Sequence, residues 1–481
     1  MPDLVTSADP GKQDARSATS LAPSRLSAEK WLHGALIALV ALAPLPLASN
    51  RPLPAALLSA FAGLLLIGWS VAIPGTGRLP IKPRKILWPL ILYGGVCLWI
   101  FIQAMPWAPT GLADPIWQTG SEALHDNIGS YISVNPGATL SGLMNLLAYA
   151  AIFWLSLQLT RDPAAAMLAL RAVIAIGATY ALYGIVVYVS GNEWITIYRK
   201  WAYRDALTST FVNRNSFATF SGLCLICAFG LFISQMRHIL SAARPARVKA
   251  AMLIEHMFMH SRWMTLALIS LAIALLLSAS RAGVAATGAG LLFVAASQIS
   301  WRGPRTGQAL AMLGVTIAIV SVAFLVAGGA LSLRYAANDA LPMENARFEI
   351  FEIVLGAITT TPWTGTGFGT FSDVFPAYRS PDLSSHFLWD KAHNSYLENA
   401  LELGLPAMLA LNLSIFLLAI RTARGMVERR RDRLFATLGV AATILVGLHS
   451  MVDFSLQIPA VSVLYAYLMG LAVSQSWRTT A

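Results

Sequence analysis

Four side chains able to grip an anion or take up a proton stand beside apolar stretches of this sequence: Arg214, Arg281, Arg347 and His393. Arg214 lies in Thr210-Phe-Val-Asn-Arg-Asn-Ser-Phe. It sits between Asn213 and Asn215, directly before a long apolar run, where backbone and amide donors gather at a helix start. Arg281 follows Leu275-Leu-Leu-Ser-Ala-Ser, between two apolar runs. Backed by Ser278 and Ser280, and with Gly283 permitting close backbone approach, it suits a fixed bidentate anion ligand; the plainer alternative is an end-of-helix arginine that snorkels. Arg347 is carried on an amphipathic stretch where Phe348, Phe351 and Leu355 share a face. His393, in Lys391-Ala-His-Asn-Ser-Tyr-Leu-Glu, precedes a helix that Asn394 or Ser395 can cap and that also carries Glu398. Arginine stays protonated and forks onto phosphate oxygens, while histidine is the side chain best placed to take a proton near neutral pH. The set fits a lipid diphosphate at a membrane surface: arginines stabilise the departing diphosphate and His393 removes a proton from an incoming hydroxyl.

Other groups have weaker claims. His449 and Asp453 stand four apart and are expected to share one helix face and pair, holding the bundle together or supporting the site. Arg171 lacks polar neighbours and reads as snorkelling. The Gly-rich Thr361-Pro-Trp-Thr-Gly-Thr-Gly-Phe-Gly-Thr-Phe fits a tight turn at least as well as a phosphate cradle. Cys224 and Cys227 form a C-x-x-C inside an apolar run with no second pair, and read as small hydrophobes. No Asp/His cluster with metal-ligand spacing accompanies the arginines, so neither a metal nor another cofactor is expected.

The elements that must position these groups follow from composition. The chain is 56% hydrophobic and 12% charged, with a mean hydropathy of +0.62. That is about half the charge fraction of a soluble domain, which excludes a soluble enzyme. Apolar blocks of bilayer-spanning length predict an all-α polytopic membrane protein of about twelve helices. They lie near 32–49, 54–73, 86–106, 140–160, 164–189, 216–236, 263–280, 283–300, 308–331, 404–420, 434–452 and 457–476. Residues 1–30 read as a disordered tail with no cleavable signal peptide, 31–476 as the membrane domain and 477–481 as a second tail.

The net charge of +11 would in a soluble protein point to nucleic acid. With the N-terminus cytoplasmic, however, 23 of the 34 Lys and Arg residues fall on cytoplasmic segments. The excess is then a topology device, nucleic-acid binding loses its support, and both termini come out cytoplasmic. Three outer segments remain long enough to carry a site, near 107–139, 190–215 and 332–403. The last reads as a large periplasmic loop folded into a small subdomain.

At these residues the sequence resembles the bacterial O-antigen ligase and polymerase superfamily of integral-membrane glycosyltransferases. The resemblance rests on Ser278-Ala-Ser-Arg-Ala-Gly, Phe211-Val-Asn-Arg-Asn-Ser-Phe-Ala and Arg347 followed by Pro362-Trp-Thr-Gly-Thr-Gly-Phe-Gly. It includes His393-Asn-Ser-Tyr-Leu-Glu with Glu402-Leu-Gly-Leu-Pro, and Leu448-His-Ser-Met-Val-Asp-Phe-Ser-Leu-Gln-Ile-Pro-Ala, so that it covers about 211–460. Ala282 stands where the family often has Gly.

The resemblance implies a GT-C-like fold in the bacterial inner membrane and an undecaprenyl-diphosphate-linked glycan as donor. Transfer is expected at the periplasmic face, with inversion and without metal. It makes His393 the activator of the acceptor hydroxyl, and Arg214 and Arg281 ligands of the donor diphosphate; Arg347 matches a family position too. The activity expected is polymerisation of surface-polysaccharide repeat units, alone or with a chain-length regulator. The alternative is ligation of the glycan to lipid A core. From other classes, a lipid-linked glycan flippase would place ionisable groups near the bilayer midplane in matched broken helices, and an export scaffold would use the arginines as headgroup anchors.

Overall fold

The computed structural model describes residues 28–72, 79–109, 111–241, 245–297, 314, 342–380, 389–429 and 433–477. The expected span at 308–331, apart from residue 314, lies outside the described residues, as do 1–27, 478–481 and the 332–341 and 381–388 parts of the long expected loop.

The described chain is mostly helical. A first helix, α1, covers 28–42; α2 is Pro52–Ala72, α3 Leu87–Gln103, α4 Pro115–Leu124, α5 Pro136–Leu159 and α6 Pro163–Val189. A two-residue hairpin, β1 (Trp194–Ile195) with β2 (Tyr198–Arg199), leads into α7, Arg214–Ser241. Then come α8 (Ala246–Glu255), α9 (Arg262–Leu277), α10 (Arg281–Ala296), α11 (Pro342–Ile358), α12 (Phe371–Tyr378), α13 (Ser395–Leu403), α14 (Leu405–Glu428), α15 (Leu434–His449) and α16 (Pro459–Ser474).

Local sequence explains where these helices start. Proline opens α4, α5, α6 and α16, where its missing N–H costs nothing. Asp114, Asn135 and Asp162 cap the first three of those by accepting from the backbone N–H of Ile116, Ala138 and Ala165.

Six helices among the described residues are long and apolar enough to cross a bilayer: α2, the Pro83–Gln103 stretch containing α3, α5, α6, α7 as far as Met236, and α14. Arg247–Met259 and Arg262–Leu277 add a seventh if that pair, bent by 93°, counts as one span. The described helices thus match only part of the twelve expected spans. Three expected spans, α10, α15 and α16, are 16 residues each, about 24 Å against a hydrocarbon core of about 30 Å. In α16 every residue but Ala466 is buried. A helix apolar all round belongs in a core, and α16 and α7 are the inner helices here, packed against α5, α6, α9, α10 and α15.

Small residues set how α7 and α10 meet. Gly283 has no room for a Cβ beside Ala218, Gly222 none beside Thr287, and Gly290 none beside Ile226. The near-constant offset of these pairs makes the two helices parallel and in register, with their N-termini side by side. A second, smaller core joins α11, α12 and α13 through Ile350, Val354, Phe371, Phe375, Trp389 and Leu401.

Candidate functional site

Three helices begin at one end of the bundle, and each beginning carries a residue singled out above. Asn213 caps α7: its Oδ1 accepts from the N–H of Asn215 (2.7 Å) and Ser216 (3.2 Å). Ser280 caps α10 through the N–H of Gly283 (3.2 Å). Asn394 caps α13 through Tyr396 (3.0 Å) and Leu397 (3.1 Å). The first helical residues of α7 and α10 are Arg214 and Arg281, and His393 directly precedes the cap of α13.

Hydrogen bonds fasten these beginnings together. The N–H of Leu207, in the segment before α7, donates to the carbonyl of Leu277 at the end of α9 (2.9 Å). Thr219 of α7 lies 2.9 Å from His449 Nδ1 at the end of α15. The start of α13 docks on the same corner: Ser395 N–H donates to Ser450 O (2.9 Å), Ser395 Oγ to Asp453 O (3.1 Å) and Tyr396 Oη to Gly447 O (2.9 Å). Arg347, on α11, lies within electrostatic range of Asp453, His449 and Tyr203. The Arg214 guanidinium sits over the Tyr203 ring, 5.3 Å from its centroid. Arg214, Arg347, His393, His449 and Asp453 therefore share one corner, and the parallel register of α7 and α10 puts Arg281 beside Arg214.

His393 is held with care. Its φ is 54°, a left-handed conformation uncommon for a residue with a side chain. Its ring is packed edge-on to Phe454 (4.9 Å) and Trp389 (5.9 Å), and its side chain stays 13% exposed. Its Nδ1 faces Asp453 Oδ1 at 3.4 Å, while His449 Nε2 lies 4.0 Å from Asp453 Oδ2. Burial pushes the Asp453 carboxyl up, but His393, His449 and Arg347 outweigh it and hold the group below the ordinary aspartate value. A proton on Nδ1 of His393, directed at the carboxylate, leaves Nε2 with a lone pair. Thr219 donates to Ser455 Oγ (3.0 Å), which is 3.0 Å from His449 Nδ1; this network assigns the His449 proton to Nε2, facing Asp453.

The pairing of His449 with Asp453 differs from expectation in its geometry. The helix α15 ends at His449, so Asp453 lies in the turn beyond it rather than on the same helix face. It is this departure from the helix that lets the carboxylate reach His393 as well. On α11, Phe348, Phe351 and Leu355 lie on one side, with the Phe348 and Phe351 rings 6.0 Å apart; Phe348 and Leu355 are exposed, whereas Ile350 and Val354 on the other side are buried.

A buried ionic cluster that sequence reasoning only partly named stands behind His393. Glu398 is fully buried; its Oε2 accepts the Ala392 N–H (2.8 Å) and its Oε1 the Lys391 ammonium (3.0 Å). Burial alone would depress Lys391, yet Glu398, Glu402 and Asp390 raise it above the ordinary lysine value. Burial and the charge of Glu398 raise Glu402, against the pull of Lys391 and of the Gly369 and Phe371 N–H groups. Glu398 and Glu402 thus share one ammonium, and the ammonium is two residues from the histidine. The helical spacing of two acids after a lysine was the available signal; Lys391, Glu402 and Tyr203 were given no role because none sits in an apolar run, and Thr219, inside the expected span 216–236, because a lone hydroxyl there reads as packing.

The Gly-rich segment is a turn and not a phosphate cradle, since its backbone donors are spent on the protein. The N–H groups of Gly365, Thr366, Gly367 and Phe368 go to Thr361 O, Leu401 O, Glu402 O and Gln103 Oε1, and that of Phe371 to Glu402 Oε1. Gly365, Gly367 and Gly369 all have positive φ, and Gly367 lies against Ser133 with no room for a Cβ. Arg171 is exposed on α6, away from this corner, and Cys224 and Cys227 are buried as free thiols in α7.

The corner offers a concentrated positive potential. Each helix N-terminus presents roughly half a positive charge, and three of them are joined by arginines that can fork onto oxyanions. Thr210 Oγ1, Ser216 Oγ, Arg214 Nε and both amide atoms of Gln457 are buried without a hydrogen-bond partner among the described residues. Buried polar groups are normally satisfied, and these are poised for a polar ligand.

Residues 266–412 match the family model described as O-Antigen ligase (Wzy_C). The matched stretch holds Arg281, Arg347, His393, Glu398 and Glu402, and leaves Arg214, His449 and Asp453 outside. A search of curated proteins found no significant match. The matched domain supports the O-antigen ligase/polymerase superfamily, and the apolar helices beside it suggest a membrane protein.

Proposed function

We propose that the protein transfers a glycan from a polyprenyl (undecaprenyl) diphosphate carrier to an acceptor hydroxyl, at the periplasmic face of the bacterial inner membrane. The observation that carries this reading is the pairing of His393 and Asp453 beside the arginine-bearing starts of α7 and α10. The acceptor oxygen attacks the anomeric carbon and its proton passes to His393 Nε2. The bond from that carbon to the diphosphate oxygen breaks, and its electron pair leaves with the diphosphate. Arg214, Arg281 and Arg347, with the helix ends, stabilise the charge that develops there. Asp453 stabilises the imidazolium that forms, as in other histidine–carboxylate pairs. Direct displacement of this kind inverts the anomeric carbon. Asn213, Asn215, Ser280 and Asn394 hold the helix starts in place, and Glu398 fixes the histidine loop.

Polymerisation of repeat units is the reading we favour, supported by the long segment 332–403 and by the resemblance around Val452-Asp-Phe. Ligation to lipid A core is the second reading, and the matched family model accommodates both. Cells lacking the gene, complemented with wild type or His393→Ala, separate the two on carbohydrate gels. Loss of polymerisation leaves single repeat units; loss of ligation leaves full-length chains on the lipid carrier. Normal glycan assembly by a normally abundant His393→Ala protein sinks both. A flippase would need its ionisable groups near the middle of the span, whereas these sit at helix ends.

A further inference from the structure

At the end of the bundle opposite this corner, cations converge on the last turn of α16. Arg161 Nη1 donates to Ser474 O (2.8 Å), Arg421 Nη2 to Ser476 O (2.5 Å) and Arg429 Nη1 to Gln475 O (2.6 Å). The Trp477 ring is flanked by Lys85 Nζ at 5.0 Å and the Arg421 guanidinium at 5.1 Å. Lys85 lies within electrostatic range of Arg161, Arg421 and Lys82, and Arg161 of Arg429. Among the described residues Glu428 pairs with Arg421 (2.6 Å). The charged groups in electrostatic range of Lys85 are all cations, so positive charge is in excess around it.

Position indicates what neutralises that excess. Lys85 lies two residues before α3, whose Leu87, Trp88, Leu90 and Ile91 are exposed, with Trp88 at 68%. These apolar side chains face lipid, so Lys85 and Trp477 stand where the hydrocarbon meets the headgroups, the level at which tryptophan and basic residues anchor. Arg421 Nε is also buried there without a hydrogen-bond partner among the described residues.

We infer that Lys85, Arg161 and Arg421, with Trp477 between them, form a binding site for the phosphate of an anionic phospholipid. Basic recesses between membrane helices take such headgroups. This site is independent of the transfer reaction: helices of 24 residues such as α5 and α14 put it about 36 Å from His393.

The test is native mass spectrometry of the full-length purified protein, delipidated and then titrated with phosphatidylglycerol or phosphatidylcholine. Wild type is expected to retain phosphatidylglycerol over phosphatidylcholine. Lys85→Gln is expected to weaken phosphatidylglycerol retention about fivefold, equivalent to the roughly 1 kcal/mol of one basic residue near a lipid surface. Lys85→Arg should restore it, and Arg51→Gln, at the other end of the bundle, should leave it unchanged. Lys85 caps no helix, and circular dichroism checks that both variants at this position are folded. Equal retention of the two lipids, or unaltered phosphatidylglycerol binding by folded Lys85→Gln, overturns the site. Displacement of the lipid by millimolar inorganic phosphate overturns its assignment to a lipid in favour of a free anion.

Discussion

Asp453→Asn isolates the electrostatic part of the proposed mechanism, because asparagine keeps the shape and one acceptor but removes the charge. Asp453 Oδ1 is 3.4 Å from His393 Nδ1, and the carboxylate is essentially fully buried. At that separation and an effective dielectric of about 20, a full ion pair is worth about 5 kcal/mol. The imidazolium spreads its charge over the ring, and His449 and Arg347 already share the carboxylate. A loss of about 3–4 kcal/mol is therefore expected, felt where His393 becomes charged, in the transition state and not in the resting enzyme. At 1.36 kcal/mol per factor of ten, this slows the chemical step by about two to three orders of magnitude. The assay is single-turnover glycan transfer by purified protein in lipid discs, with donor affinity measured separately. The donor should bind almost as before, since the arginines are untouched. His393→Ala combined with Asp453→Asn should be no slower than His393→Ala alone, because the two residues act as a unit. A turnover within threefold of wild type, or fully additive losses in the double variant, would refute the coupling of this carboxylate to proton transfer.

Other consequences are equally direct. Glu398→Gln removes the nearer of the charges that hold Lys391 and weakens the grip on the Ala392 N–H; thermal unfolding should report a loss of about 1–3 kcal/mol, with Glu402 left to hold the ammonium, and transfer should fall with it. Gly367→Ala puts a Cβ against Ser133 at a φ of 105°, so a destabilisation of at least about 1–2 kcal/mol is expected in the same melt. Arg281→Lys keeps the charge but loses the fork, and donor KM measured by initial rates should rise about tenfold or more if the guanidinium grips two oxygens. The Asp453 carboxyl has a folded pKa below its ordinary 3.8. Its contribution to stability is thus complete above pH 3.8 and lost as pH falls through the folded value. Melts across pH 5 to 2.5 should show a shallower acid limb in Asp453→Asn than in wild type.

What the sequence revealed followed how local each cause was. Helix starts are encoded locally, since caps are written within three residues: Asn394 was legible as a cap, whereas Asn213 and Ser280, named only as neighbours of their arginines, are caps as well. The site arginines and His393 stood out because charge beside an apolar run needs a reason. Span counting is supported only in part, since α10, α15 and α16 are short for a span and apolarity alone does not say whether a helix faces lipid or, like α7 and α16, other helices. The Asp453–His393 pair joins residues 60 apart in sequence, and only the turn after α15 brings them together. Likewise the Gly-rich segment looked equally apt for phosphate until its N–H groups were traced to Leu401, Glu402 and Gln103.

The parallel register of α7 and α10 has a cost that the small residues between them must withstand. Two helices lying side by side in the same direction oppose each other's dipoles, and here an arginine at each start adds to the repulsion. Closeness at Gly222, Gly283 and Gly290 holds the pair together against that push. The starts of α7 and α10 thus behave as a compressed spring whose release is an anion. Occupancy of this corner and stability of the bundle are one equilibrium seen from two sides, and any dianion that relaxes the spring must raise the melting temperature by an amount that grows with its concentration.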